Sequence, residues 1–254
     1  MLIAFDIGNT VINIGVFERE MLKTMLSISS NEMKTEDEYG IEIYNMMLLE
    51  KISAPEITKA IISSVMPSLT IIFEKLINKY FHVYPYIVNP YDNYGITIRY
   101  DNPLELGADR IANAVAAAHK YNTDSIIVDL GTAISFDVIR EGGIYEGGII
   151  APGIGIASDA LFKKAAKLPR VEMSVPPTVV GKNTIRSMQS GIFFGFVCMI
   201  DGLIRMIKTE LNIIPRVIST GGWGEMITSK SHEIDEYNRY FTLEGLRIIA
   251  HKRE

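Results

Sequence analysis

Asp6-Ile7-Gly8-Asn9-Thr10, set directly after the apolar run Leu2-Ile3-Ala4-Phe5, is the stretch from which the rest of the chain is read. The apolar run predicts a buried central strand, with the acid and the glycine meeting at its exposed end. A phosphate can be held at such a junction. Gly8 permits a tight turn and close backbone approach, Asn9 and Thr10 bring polar groups, and Asp6 brings a carboxylate able to act through a hydrated divalent cation. Taken alone, the same five residues also describe an ordinary turn.

The pattern recurs. Ile126-Ile127-Val128 leads into Asp129-Leu130-Gly131-Thr132-Ala133, the same order of apolar strand, acid, glycine and hydroxyl, 123 residues beyond Asp6. The residues after each copy also match. Val11 to Phe17 and Glu20 to Ile28 read as strands joined at Glu18-Arg19-Glu20, and Ile134 to Ile139 and Ile144 to Ile150 as strands joined at Glu141-Gly142-Gly143. A phosphate turn and then a hairpin, used twice, implies two facing halves. This is similar to the actin, Hsp70 and sugar-kinase superfamily, whose halves close over ATP.

The 254 residues suit one large or two small domains, and a hydrophobic content of 48% is ample for real cores. Net charge is -5 with Lys and Arg dispersed, so no basic stripe points to nucleic acid or an anionic membrane. One cysteine excludes an intrachain disulfide. Cys198 lies in Phe193-Phe194-Gly195-Phe196-Val197-Cys198-Met199, where a buried inert thiol is expected, in keeping with a cytoplasmic setting. Asp6 interrupts the first apolar segment, which is therefore not expected to act as a secretory signal, and Asp201 and Arg205 cut the longest apolar stretch. The four histidines are far apart without carboxylates or cysteines at metal-ligand spacing, so a zinc site is not expected and each reads as a surface residue.

Thr35-Glu36-Asp37-Glu38 is a capping box opening a helix over roughly 35 to 51. Ile57 to Ser63 reads as a strand, Pro67 as the first turn of a helix, Tyr86 to Val88 as a closing strand, and Ile96 to Arg99 as another. Glu105 to Tyr121 reads as one helix rich in small residues. In it Glu105 and Asp109 would be like charges at i and i+4, a cost that a helix N-terminus, a cation or a ligand must offset. Ala157 to Leu168 and Thr184 to Leu211 read as helices, Gly191 and Gly195 in the latter suiting close packing in a core or against a second subunit. Arg216 to Ser219 reads as a strand before the glycine turn Thr220-Gly221-Gly222, and Thr242 to Lys252 as the closing helix.

Asp6-Ile7-Gly8-Asn9-Thr10, Leu106-Gly107-Ala108-Asp109-Arg110, Asp129-Leu130-Gly131-Thr132-Ala133, Gly147-Gly148 with Pro152-Gly153, and Thr220-Gly221-Gly222 occur in the order and spacing of the type III pantothenate kinases. The chain resembles that family along essentially its whole length. It departs at Leu26-Ser27, where many members carry Trp-Arg. The resemblance implies an α/β chain with a duplicated actin-like (ribonuclease H-like) ATPase fold, two mixed five-stranded sheets flanked by helices, divided near Asn122 into halves 1–122 and 123–254. It implies ATP-dependent phosphorylation of pantothenate to 4'-phosphopantothenate, the first step of coenzyme A biosynthesis. The loop of Asp6, Ile7, Gly8, Asn9, Thr10, Val11, Ile12 and Asn13, with Thr132, would hold the ATP phosphates, and Asp109 would be the general base. Tyr100, Gly107, Ala108 and Arg110 would line the pantothenate pocket, completed by Thr184 across the interface of a homodimer. Asp129 would hold a monovalent cation, potassium or ammonium, required beside Mg2+.

Two other functions fit the same pattern: a kinase or acyl-phosphate enzyme with another acceptor, and a nucleotide-dependent regulatory protein without catalysis. The lysine-bearing G-x-x-x-x-G-K-[ST] loop is absent, so phosphate charge would be met by backbone amides and cations.

Overall fold

The computed structural model describes residues 1–165 and 167–252. The chain divides into two units, Met1–Lys120 together with the segment from Phe241, and Tyr121–Tyr240.

In the first unit β1 (Leu2–Ile7), β2 (Val11–Glu18) and β3 (Met21–Ser29) form an antiparallel meander. Arg19, at φ 54°, turns the hairpin. Helix α1 (Glu36–Leu49) starts at the expected capping box, in which Thr35 Oγ1 accepts from Glu38 N at 3.3 Å and Glu38 Oε2 accepts from Thr35 N at 2.9 Å. It leads to β4 (Lys59–Ser64), α2 (Pro67–Phe81), β5 (Tyr86–Ile87), the short β6 (Thr97–Ile98) and α3 (Ala108–Lys120). β4 runs parallel to β1, giving the order β3-β2-β1-β4-β5. Phe5, Ile14, Tyr39, Ile62 and Phe73 are fully buried in the core that the sheet shares with α1 and α2.

The second unit repeats the plan. β7 (Ser125–Leu130), β8 (Ala133–Arg140) and β9 (Ile144–Pro152) form the meander. Then come α4 (Ile154–Lys164), α5 (Thr184–Leu211), β10 (Arg216–Thr220), α6 (Gly224–Thr228) and β11 (Glu236–Tyr237). Its strands follow one another as β11-β10-β7-β8-β9, with β10 parallel to β7. Even the irregularity is copied: the hairpin register shifts at Val16/Phe17 in one unit and at Val138/Ile139 in the other. The α/β class with two mixed sheets flanked by helices is therefore the architecture found.

Four expectations are corrected. The second unit does not run to the end of the chain, because α7 (Phe241–Lys252) belongs to the first. Gly245 explains how closely it packs there: a Cβ would lie 2.0 Å from the Ala112 carbonyl oxygen of α3, so only glycine fits. Thr242 Oγ1 also donates to the buried Asn113 Oδ1 at 2.9 Å. Secondly, α3 begins at Ala108. Pro103–Glu105 is a separate 3-10 turn capped by Asn102, whose Nδ2 donates to Glu105 at 3.0 Å, so Glu105 and Asp109 are not paired at i and i+4. Thirdly, Cys198 is exposed, because it lies outside the face of α5 that buries Phe193, Val197, Ile200 and Ile204. Fourthly, the helix expected over 157–168 spans Ile154–Lys164, and Ala166 lies outside the described residues. All four histidines are exposed, as expected.

Helix α5 has the length and apolar composition of a membrane span, but 44% of its most apolar window is buried in this chain. Asp201, within that helix, is buried and accepts from Ser231 Oγ and from His232 N at 3.1 Å. These are the marks of a core helix.

Candidate active site

The end of β1 and the start of α3 bring two carboxylates together within the first unit. Asp6 is placed by the register of the sheet, opposite Asn13 on β2 and Ser63 on β4. The buried Ser63 Oγ donates to Asp6 Oδ1 at 3.3 Å, and the Asn13 side chain also bonds to it. Asn13 Oδ1 accepts from Ser27 Oγ at 2.9 Å, so its NH2 group is the one left for Asp6. Ser27, one of the two residues at which the chain departs from the family pattern, thus orients a neighbour of the acid. Burial and then the charge of Asp109 push the Asp6 carboxyl up to about 7, against the opposing effect of its Ser63 and Asn13 hydrogen bonds.

Asp109 occupies the first turn of α3, where backbone N–H groups lack helical partners and a negative charge is favoured. Its Oδ1 accepts from Arg110 N at 2.8 Å. Burial raises its pKa, while that bond and the Arg110 charge work the other way. A carboxylate so placed is more basic than a solvated one, which suits proton abstraction. Gly107 makes room for it: a Cβ there would lie 2.4 Å from Asp109 Oδ1. Because that atom is the movable end of a side chain, Gly107→Ala should leave the melting temperature within about 2 °C yet lower kcat about 10-fold by displacing the carboxylate. A thermal melt beside steady-state kinetics checks this; unchanged kcat would mean the position of the carboxylate is immaterial.

Of the other expected residues, Ile7 and Ile12 are buried in β1 and β2, Gly8, Asn9 and Thr10 form the connection between those strands, and Val11 is the first, exposed residue of β2. Gly8 N donates to Val11 O at 3.1 Å, closing the turn. Ala108 and Arg110 are buried at the start of α3, and Tyr100 is half-buried just before the 3-10 turn. Asp129, Thr132 and Thr184 belong to the second unit. Asp129 is the penultimate residue of β7, opposite Ser135 and Thr220, the counterparts of Asn13 and Ser63. Gly221, at φ +85°, lies against it, where a Cβ would stand 2.6 Å from Asp129 Oδ1. Gly153 meets the turn from another side, with a Cβ position 2.1 Å from the Thr132 carbonyl oxygen. Thr184 is the first, exposed residue of α5. Sequence reading singled out neither Ser63 nor the Ser27–Asn13 bond, although Ser63 closes a recognisable apolar strand.

Comparison with known proteins gives a consistent result. Residues 2–206 match the family described as Type III pantothenate kinase. A protein of that name from Citrifermentans bemidjiense is 46% identical over 254 residues, covering 100% of both chains. Among solved structures, a Campylobacter jejuni protein described as a Baf family transcriptional activator superposes with a TM-score of 0.60 at 19% identity, covering 99% of this chain and 98% of that one. Component A of the (R)-2-hydroxyglutaryl-CoA dehydratase of Acidaminococcus fermentans gives 0.56 at 9% identity, covering 98% and 95%. At such identities these two likenesses speak for the actin-like fold alone.

Proposed function

Since this chain belongs to the type III pantothenate kinase family, whose reaction is the phosphorylation of pantothenate for coenzyme A biosynthesis, we propose that Asp109 is the base of that reaction and the Asp6–Asn13 turn its phosphate cradle. The observation that carries this reading is the proximity of two partly covered carboxylates, one on the turn and one on α3, close enough for the charge of Asp109 to raise the Asp6 pKa. The acid nearest the turn serves the phosphates, and the one at the helix start serves the acceptor.

Asp109 takes the proton from the primary hydroxyl of pantothenate as the phosphoryl group arrives, a late contribution in a loose transition state. Asp6, Ile7, Gly8, Asn9, Thr10, Val11, Ile12 and Asn13 position the ATP phosphates, and Thr132 is a further contact. Asp6 would hold a hydrated magnesium ion arriving with ATP, which would offset phosphate charge on a turn that carries no lysine. Tyr100, Gly107, Ala108 and Arg110 line the acceptor pocket. ATP as donor supports a cytoplasmic setting.

Asp129 is the proposed holder of potassium or ammonium. The bare Gly221 backbone beside its carboxylate supports this, since a Cβ there would press on the oxygen that the ion needs. The testing experiment is ATP-dependent phosphorylation of pantothenate with magnesium in potassium, ammonium or sodium buffer. Phosphopantothenate should form in the first two and fall about 10-fold or more in sodium; full turnover in sodium would remove the cation from Asp129.

A homodimer through α5 is supported by its outer face. A Cβ added at Gly191, Gly195 or Gly202 would meet nothing within 4 Å, and Cys198 and Met206 are exposed on the same helix. Thr184, at the head of this helix, would reach the partner's acceptor pocket. Gly195→Glu should give a monomer by sedimentation velocity; an unshifted sedimentation coefficient would take the interface off this face.

A further inference from the structure

We propose that Ser30 is a positioning residue for phosphoryl transfer, aiming the amides of the Gly8–Val11 turn at the nucleotide by holding the carbonyls of the same peptide planes. The proposal rests on the reading of that turn as the phosphate cradle. Ser30 Oγ donates to the Gly8 carbonyl at 2.6 Å, and Ser30 N donates to the Thr10 carbonyl at 2.9 Å. A peptide group is planar and trans, so its C=O and N–H point in opposite directions. Anchoring Gly8 O therefore sets the direction of Asn9 N–H, and anchoring Thr10 O sets that of Val11 N–H. Each points away from Ser30. A glycine-containing turn otherwise allows its peptide planes to rotate at little cost, which would present a carbonyl oxygen to the phosphates in place of a donor.

The anchor is itself fixed to the core. The hydroxyl of fully buried Tyr39 accepts from Asn31 N at 2.7 Å and lies 3.2 Å from Ser29 O and 3.1 Å from Asn31 O, so both neighbours of Ser30 are held by one side chain. Its ring packs on Phe73 at a centroid distance of 5.0 Å. A loop that comes after the hairpin in sequence, and that contains no acid adjoining Ser30, thereby has a specific task at the turn.

Steady-state kinetics and thermal melts of Ser30→Ala, Ser30→Thr and Asn9→Asp test this. Ser30→Ala should raise KM for ATP about 5- to 10-fold while kcat, KM for pantothenate and the melting temperature stay nearly constant, as expected for one lost hydrogen bond. Ser30→Thr, which keeps the hydroxyl, should restore KM. Asn9→Asp places a negative charge on an exposed position of the turn, and should raise KM for ATP whatever Ser30 does. Normal KM in Ser30→Ala with a raised KM in Asn9→Asp overturns the role of Ser30 and leaves the cradle standing. Normal values in both overturn the cradle as well. Equal loss for both substrates with a lower melting temperature makes Ser30 a general structural residue and also overturns the proposal.

Discussion

Asp109→Asn is expected to lower turnover by about 100-fold or more, which corresponds to about 3 kcal/mol of transition-state stabilisation. The amide keeps the size of the carboxylate, and its oxygen can still accept from Arg110 N, so the start of α3 should keep its geometry. The loss is of a proton acceptor whose basicity burial has raised. Nucleotide binding, measured by fluorescence titration, should be retained because the turn at Asp6 is untouched. Removing the Asp109 charge also relieves the Asp6 carboxyl, so Asp6 should ionise below its present value of about 7. Near-normal turnover in Asp109→Asn would remove the base role.

The second large effect concerns Asp6 and has opposite signs for activity and stability. Asp6→Asn should reduce turnover by about 100-fold or more, because a neutral amide cannot act through a cation on the phosphates. The same change should make the magnesium-free protein more stable at pH 8. The folded-state carboxyl is raised to about 7 from 3.8, so between these values the unfolded chain is ionised while the folded one retains its proton. The contribution of this group to stability is therefore fully present below the unfolded value of 3.8, declines as pH rises to about 7, and stays reduced above it. Asparagine carries no such penalty. Thermal melts across that range and up to pH 8 in a chelator should show a decline in the parent protein that Asp6→Asn flattens; identical slopes would mean that Asp6 is not held above its ordinary value.

Why some of this was legible in the sequence and some was not depends on the range of each interaction. The doubled turn was readable because strand, acid, glycine and hydroxyl are consecutive, and the capping box at Thr35 because its partners are three residues apart. Ser63 lies 57 residues from Asp6 and reaches it only through the parallel register of β1 and β4, which sequence periodicity does not reveal. Ser30 was hidden for the same reason, 22 residues from the carbonyl it holds. At Glu105 the helical pattern extended too far, because Pro103 and the Asn102 cap stabilise a separate turn before Gly107. Cys198 was misplaced by composition: its neighbours are apolar, but its angular position on α5 is outside. The assignment of α7 to the first unit depends on Gly245 admitting the Ala112 backbone, a complementarity visible only once both helices are in place.

That last feature bears on how the protein is made. On the ribosome, the first 120 residues emerge early with their sheet, turn and Asp109, yet the helix that packs on them is translated only after the whole of the second unit. The nascent first unit must wait through the synthesis of the entire second unit with α3 lacking its α7 neighbour, and loop closure over that distance is slow relative to local folding. A chain truncated before Phe241 would thus deprive the early-made unit, rather than the late-made one, of its final support. Translation errors in α7 would be felt in the unit made before the second one.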